Sequence, residues 1–560
     1  MFEWVADQRN ALRGQYEAAV NAIRPLRLTQ FEPFRLFIRK TTHDLRSGDP
    51  SSLAILAILT IATIFIIDRL SARFASAGRK MRLPTLKMRK GWDYPTLLQQ
   101  GARMHPNSPY IITYSGYEYV VFPSSAFDEI KKLNASRASM VDWFTQIFWQ
   151  GWHFLGTDNS ARYHMVSIDI ARALPSRVWM RQENAQQAFE TVLGPTGVKH
   201  DWTTLSLWST VQKIISLMNA TGLFGPELGL DPRWLKATER LHSAIMVGIV
   251  GSHLTPRLLR PLVAPVVFLP ARLVDWHMSS LLRPMLQKEM RHYQEKNSSQ
   301  DKAKDTTTVP GSSFRPEPSN EKFPLTSWLL DRYRAGDKNL THLIRDHIVV
   351  AFEAATTSAG MLYFLVAELA VRPDLVEELR EELSQNMDSE GHLPLGYLAE
   401  LRKMDSFMLE SARVTGSSHL ALFRRVQKPL KLSLGPELAP GTLICVDAYH
   451  LKKSQTRYEA ASELKPLRFY EMRQEPNQEE LHQFAQPGPD NTIWGGGTQA
   501  CPGRLFGSVT IKVALAHFLL NYDVQLLPNG KSAPKRNSMP NGSISPDTKA
   551  KIMLRERKYA

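Results

Sequence analysis

WGGGTQACPGRLF, residues 494–506, runs three glycines, then Cys501, a proline and a fourth glycine. Beyond it apolar residues recur at helical spacing: Leu505, Val509, Val513, Leu515, Ala516, Leu519 and Leu520. The pattern predicts a flexible loop that delivers Cys501 to the start of a buried helix. Glycines let a backbone turn sharply and approach a bulky group. Pro502 suits a first helical position, which needs no N–H. A helix start offers unpaired N–H groups and a positive dipole end, both of which favour a thiolate. Cys501 then reads as an anionic soft ligand. The same residues also describe an ordinary loop around a small buried cysteine. A phosphate loop is excluded, because the required Gly-Lys-Ser/Thr is missing.

Upstream segments narrow the choice. Leu340 to Ala370 (LTHLIRDHIVVAFEAATTSAGMLYFLVAELA) predicts one long helix. Its middle carries Glu353, Thr356, Thr357 and Ser358 among apolar neighbours. A glutamate there is costly without a partner or a task, and mid-helix threonines bond back to carbonyls and bend helices. LESARVTG places Glu410 and Arg413 at i and i+3, where they can pair, and Arg468 follows in LKPLRFY. YIITY (110–114), YEYVVF (117–122) and TLICVDAY (442–449) read as strands, as do 521–527 and 551–554 near the C-terminus. Cys445 reads as inert packing. The fold class is therefore mainly α with small β-sheets (α+β).

The chain has 560 residues, 43% of them hydrophobic, enough for a large core. Its two cysteines, Cys445 and Cys501, exclude a disulfide framework. A net charge of +15 favours anionic partners. No nucleic-acid motif is present, so a membrane surface or an acidic redox protein fits better. SSLAILAILTIATIFII, residues 51–67, holds no charge over 17 residues. At 1.5 Å each that spans roughly 26 Å, close to a hydrocarbon core. Arg69, Arg73, Arg79, Lys80, Arg82 and Lys87 follow it and point the C-terminal side to the cytoplasm. The organisation expected is a 1–50 extension, a 51–70 transmembrane anchor and a 71–560 catalytic domain. The apolar, proline-broken run 253–284 predicts a buried loop with short helices. The polar 294–320 predicts a surface connection.

Taken together, these segments resemble the cytochrome P-450 monooxygenases. Gly497, Cys501 and Gly503 fall on the family's haem-binding loop. Trp494 stands where phenylalanine is usual. Gln499 replaces the arginine or histidine that meets a haem propionate, a task left to other basic groups. The resemblance implies the family fold behind a single N-terminal transmembrane helix, with haem b held by Cys501 as metal ligand and axial thiolate. It places Trp494, Gly497, Gln499 and Gly503 around the cofactor, with Arg172, in a segment that also holds His164, near a propionate. Thr356 takes the place of the threonine beside dioxygen, and Ala355 replaces the usual acid before it. Glu353, one turn earlier, is open to three roles: proton relay, substrate contact or a core hydrogen bond. Glu410, Arg413 and Arg468 match the family's core network.

The implied function is oxidation of a lipophilic small molecule, such as a fungal terpenoid, polyketide or indole-alkaloid intermediate. Electrons would come from NADPH through a cytochrome P-450 reductase, with cytochrome b5 a second donor. The implied location is the endoplasmic reticulum membrane, single-pass, catalytic domain in the cytoplasm, with 253–284 as the substrate-pocket roof. Two other readings stay open. One is a haem-thiolate isomerase that needs no external electrons. The other is a non-catalytic scaffold on a degenerate fold, to which Gln499 and Ala355 are the pointers.

Overall fold

The structure is a computed structural model of the chain. It describes residues 63, 83–114, 117–147, 159–194, 198–255, 259–304, 322–389, 391–416, 418–528, 530, 533–534, 537–538 and 544–557. The 1–50 extension and, apart from Thr63, the 51–70 anchor lie outside the described residues. The chain divides into two compact units, Met1–Arg79 with Pro256–Arg260, and Lys80–Thr255 with Pro261–Ala560. The second carries the elements below.

Helices and strands alternate first, and helices then dominate. The elements that position the site begin with α1 (Tyr94–Met104), β1 (Tyr110–Tyr114), β2 (Tyr117–Phe122), α2 (Phe127–Lys131) and β3 (Ala138–Ser139). Next come α3 (Ser160–His164), α4 (Val178–Leu193), β4 (Thr203–Ser206), α5 (Leu207–Phe224), α6 (Pro232–Leu254), α7 (Arg260–Val267), α8 (Leu269–Lys304) and α9 (Leu325–Arg332). Then follow α10 (Leu340–Leu369), α11 (Pro373–Gln385), α12 (Arg402–Thr415), β5 (Leu420–Val426), β6 (Leu443–Asp447) and α13 (Arg468–Met472). The series ends with α14 (Arg504–Asn521), β7 (Tyr522–Gln525), β8 (Asn537–Ser538), β9 (Ile544–Ser545) and β10 (Lys551–Glu556).

The largest sheet has the order β1-β2-β6-β5-β3. Only the β2–β6 pairing is parallel. Central β6 is buried at every residue. Ile444 and Val446 enter one apolar cluster and Leu443 and Cys445 another, so Cys445 packs between strands as expected. The C-terminal strands pair antiparallel, with β10 between β4 and β7.

α10 is the spine. It packs on α5, α6, α8, α12 and α14. Leu343, Ile344, Ile348, Val349 and Val350 join a core shared with α6 and α8. Ala359, Leu362, Tyr363 and Leu365 join a second core shared with α4, α5, α12 and α14. Each fully buried aliphatic side chain contributes about 1.5–3 kcal/mol. Glu353, Thr356 and Thr357, the polar middle of α10, stand where the helix passes from one core, at Ala351, to the other, at Ala359, which makes this stretch the seam between them. Among the described residues α10 is the helix long and apolar enough to cross a membrane, and it is mostly buried here.

Two loop expectations are corrected. The 253–284 run is largely helical, with Pro265 inside α7 and Pro284 inside α8. The polar stretch from 294 continues α8 as far as Lys304. A lone proline bends a helix that packing elsewhere supports, and Gln, Glu and Lys are good helix formers despite their polarity.

Lys512 of α14 donates to Asp405 of α12 at 2.7 Å and to the Leu398 carbonyl at 3.0 Å, all but out of reach of water. Lys512→Met would leave Asp405 charged and unpaired in the interior. A loss of about 3–5 kcal/mol is expected, read as a lowered unfolding midpoint in denaturant.

Candidate active site

The loop 494–503 is held from three sides. Trp494 donates from its indole N–H to the Phe484 carbonyl at 2.6 Å and packs edge-on to Phe484. Cys501 donates its backbone N–H to the Trp494 carbonyl at 2.8 Å, which closes the loop. Gly497 has φ +64, and a Cβ there would lie 2.0 Å from the Lys131 carbonyl oxygen at the end of α2. Only glycine satisfies both constraints. Gly503 differs: its φ is −85, and a Cβ would meet only Val166, at 3.6 Å.

Helix α14 starts at Arg504, with Gly503 as its N-cap, so Pro502 lies outside it. Cys501 thus ends the loop just before the helix, and the Gly503 N–H is directed at its sulfur. Burial pushes the Cys501 thiol up to about 11, and the nearby Glu353 carboxylate adds to the rise. The Gly503 N–H and Arg504 act in the opposite sense. A buried thiol in this state needs a cation to become a thiolate.

Glu353 faces Cys501 from α10. Its side chain is crowded by surrounding protein yet keeps accessible surface. Burial raises its carboxyl above the usual carboxylate range, Arg162 of α3 pulls it down, and Asp346 pushes it up. Thr357 donates to the Glu353 carbonyl at 3.2 Å. Thr356 is partly buried beside them, and its hydroxyl is free of such a back-bond.

Other expected residues scatter. Arg172 is exposed, with no hydrogen bond or ion pair among the described residues, and His164 is also exposed. Gln499 turns the other way. Its amide N–H groups donate to the Leu133 and Ala138 carbonyls, both at 2.9 Å, and its oxygen accepts from Met140 N–H at 2.7 Å. No N–H is left for a carboxylate, so Gln499 ties the loop to the β3 segment instead of meeting an anion. Glu410, Arg413 and Arg468 do come together. Arg413 forks onto Glu410 with two bonds of 2.7 Å, and Arg468 reaches it at 3.1 Å. All three are buried.

Two arginines complete the picture. Arg424 is 1% exposed, faces no carboxylate, and has an Nε without partner. Its other nitrogens reach the Phe423 carbonyl at 2.8 Å and the Gly496 carbonyl at 3.4 Å. A bulge after Ala421, with Leu422 at φ +51, aims it inward. Burial pulls its pKa down to about 10. An uncompensated buried guanidinium beside the cysteine loop is a seat for an anion. The signal was the doubled arginine in the apolar run LALFRRV (420–426). Arg181, fully buried between α4, α5 and α14, donates to Asn219 at 2.8 Å and to Thr510 at 2.9 Å. Asn219 then donates to the Ala354 carbonyl at 2.8 Å, which links the cysteine helix to the polar middle of α10.

The cytochrome P450 family model matches residues 269–554. Cytochrome P450 monooxygenase ffsD of Aspergillus flavipes is 33% identical over 543 residues, 97% of this chain and 98% of that protein. The chain belongs to the cytochrome P450 family. Pyrichalasin C-18 hydroxylase of Pyricularia grisea is 33% identical over 537 residues, 96% of each chain. Cytochrome P450 monooxygenase cheG of Chaetomium globosum is 41% identical over 353 residues, 63% of this chain and all of that one. Retinoic acid bound cyanobacterial CYP120A1 shares the fold, with a TM-score of 0.58 at 14% identity over 82% of this chain and 94% of that one. This P450 is thus an oxidoreductase, a monooxygenase akin to those of fungal secondary metabolism. The family carries thiolate-ligated haem, and the residues present fit it: a half-buried cysteine at the end of a glycine-bound loop and a buried arginine without a counter-charge.

Gly497→Ala should abolish stable folding of the loop, because strain and a backbone clash coincide. Gly503→Ala should leave the unfolding temperature near that of the parent. Thermal melts of the two variants side by side check the contrast.

Proposed function

We propose that this P450 hydroxylates a lipophilic secondary-metabolite intermediate, with Cys501 as the iron ligand. The observation that carries the reading is the glycine-bound loop that sets Cys501 just before helix α14, closed by the Cys501 N–H on the Trp494 carbonyl. Haem, when bound by Cys501, supplies the oxidant that places one oxygen atom of O2 into a C–H bond. The chain does the rest. Cys501 donates the thiolate, steadied by the Gly503 N–H. Arg424 offers its guanidinium to a propionate, the task for which the sequence offered Arg172. Trp494 packs against Gly507 under the loop. Thr356 and Glu353 hold and pass protons on the α10 side of the site. The relative named for C-18 hydroxylation of pyrichalasin supports hydroxylation as the reaction.

Electrons come, in this proposal, from an NADPH-dependent reductase, for which the net charge of +15 suits an acidic partner. A membrane location is supported by the uncharged run 51–67. It is also supported by exposed apolar side chains on α6, α7 and α8, among them Val247, Leu262, Val266, Leu273 and Trp276.

Thr356→Ala should retain haem yet divert reducing equivalents into hydrogen peroxide; undiminished coupling of NADPH to product would remove Thr356 from the proton path. Arg424→Met should lower the haem content of purified protein and speed haem loss to an apo-globin scavenger. Equal retention by variant and parent would unseat Arg424 as the anion partner.

A further inference from the structure

Helix α6 packs on α10 along one apolar stripe. Leu241, Ile245 and Ile249, four residues apart, are buried in the core that α6 shares with α10. His242 stands one position further round, at the edge of that stripe. Its ring stacks on Phe352 of α10, with centroids 5.8 Å apart and planes 25° from parallel. The ring keeps some accessible surface, yet its Nδ1 is sealed from water and has no hydrogen-bond partner among the described residues. A buried nitrogen without a partner forfeits the bond it would make with water. Burial pulls the pKa of the ring down, which leaves it neutral, with one nitrogen to donate and one to accept. The stack also places this nitrogen beside the site. Phe352 and Thr356 are four apart and share a face of α10, about 6 Å along the axis. Every residue from Phe352 to Thr357 keeps accessible surface, whereas Ala351 and Ser358 on either side are buried. His242 therefore borders the accessible stretch in the middle of α10. Met246, one turn beyond it on α6, and Phe352 are apolar and only partly buried. A lipophilic molecule lying here meets apolar side chains and one unmatched nitrogen.

We infer that His242 determines specificity: its Nδ1 takes a hydrogen bond with an uncharged polar group of the substrate, a carbonyl, amide or hydroxyl, about one helical turn from the carbon that is oxidised beside Thr356. This rests on the lipophilic-substrate reading above and narrows it. The substrate class is a largely hydrocarbon frame that carries a neutral oxygen function remote from the reacting carbon. An analogue without that function leaves Nδ1 unmatched in the complex as well, which is how a site with a buried polar group rejects an apolar competitor. A carboxylate or an amine gains no charge partner from a neutral ring. Phe352 holds the ring in place by stacking, so the nitrogen is aimed before the substrate arrives.

The test uses the full-length, haem-loaded protein and three ring compounds of similar size: cyclododecane, cyclododecanone and the lactam azacyclotridecan-2-one. Each is titrated in, and its dissociation constant is read from the shift it causes in the Soret band. The parent should bind the ketone and the lactam about five- to tenfold more tightly than the hydrocarbon, the size of one hydrogen bond net of water. His242→Phe keeps the stack on Phe352 and should erase that preference while affinity for cyclododecane holds. His242→Asn sets an amide near the Nδ1 position and should restore most of it. Melts of the ligand-free protein separate recognition from packing. Loss of an unmatched nitrogen should leave His242→Phe and His242→Leu melting no lower than the parent, whereas a packing role would lower both and overturn the inference. Equal affinity of the parent for all three compounds, or a preference that survives His242→Phe, would overturn it and leave the lipophilic reading standing. A parent whose Soret band none of the three moves would overturn both.

Discussion

Glu410 is fully buried and charged, and the architecture on the cysteine side depends on it. Its two oxygens take the fork of Arg413, the Nε of Arg468 and the Lys465 N–H. Arg413 and Arg468 then use their remaining N–H groups on the carbonyls of Ala461 and Glu459. A loop segment with little secondary structure is thereby fixed to helix α12 by charge-assisted bonds instead of a core. Burying such a network is costly, and it is tolerable only because almost every lone pair and donor is matched. Five residues earlier, Asp405 of the same helix accepts from Phe484 N–H at 2.8 Å and pairs with Lys512 of α14. Phe484 in turn receives the indole of Trp494. One helix thus holds both the entry to the cysteine loop and the helix that leaves it.

The second constraint is the seam. α10 and α14 each cross from one apolar core to the other. Where α10 crosses, its residues turn polar at Glu353, Thr356 and Thr357. Desolvation raises the pKa of both the Cys501 thiol and the Glu353 carboxyl, and Glu353 adds to the rise of Cys501. A cation that binds the sulfur reverses that balance for Cys501. Arg162 and Asp346 act on Glu353 in opposite senses.

Much of this was legible in the sequence because it rested on local patterns. The long α10 helix, the β1–β2 strands, the C-terminal pairing and the Glu410–Arg413 neighbours follow from periodicity or spacing, and all are present. The glycine-rich loop was legible too, although only the structure shows that Gly497 is required by the Lys131 carbonyl. What was missed depends on contacts distant in sequence. Arg424 gains its meaning from a bulge that turns it to Gly496, and Asp346 from Arg162 of α3, 184 positions away. Gln499 reads as a lost propionate contact in the loop alone. In the fold its amide is committed to Leu133, Ala138 and Met140. The helix past residue 294 was missed because its polar composition resembles a connection, whereas α8 simply extends beyond its buried face.

The most direct measurement is the difference spectrum of the dithionite-reduced protein with and without carbon monoxide, alongside Cys501→Ser. A strongly red-shifted Soret band in the parent, absent from the variant, is the expected result and places the thiolate of Cys501 on the iron. A parent band at the position of histidine-ligated haem, or one that survives Cys501→Ser, would contradict it.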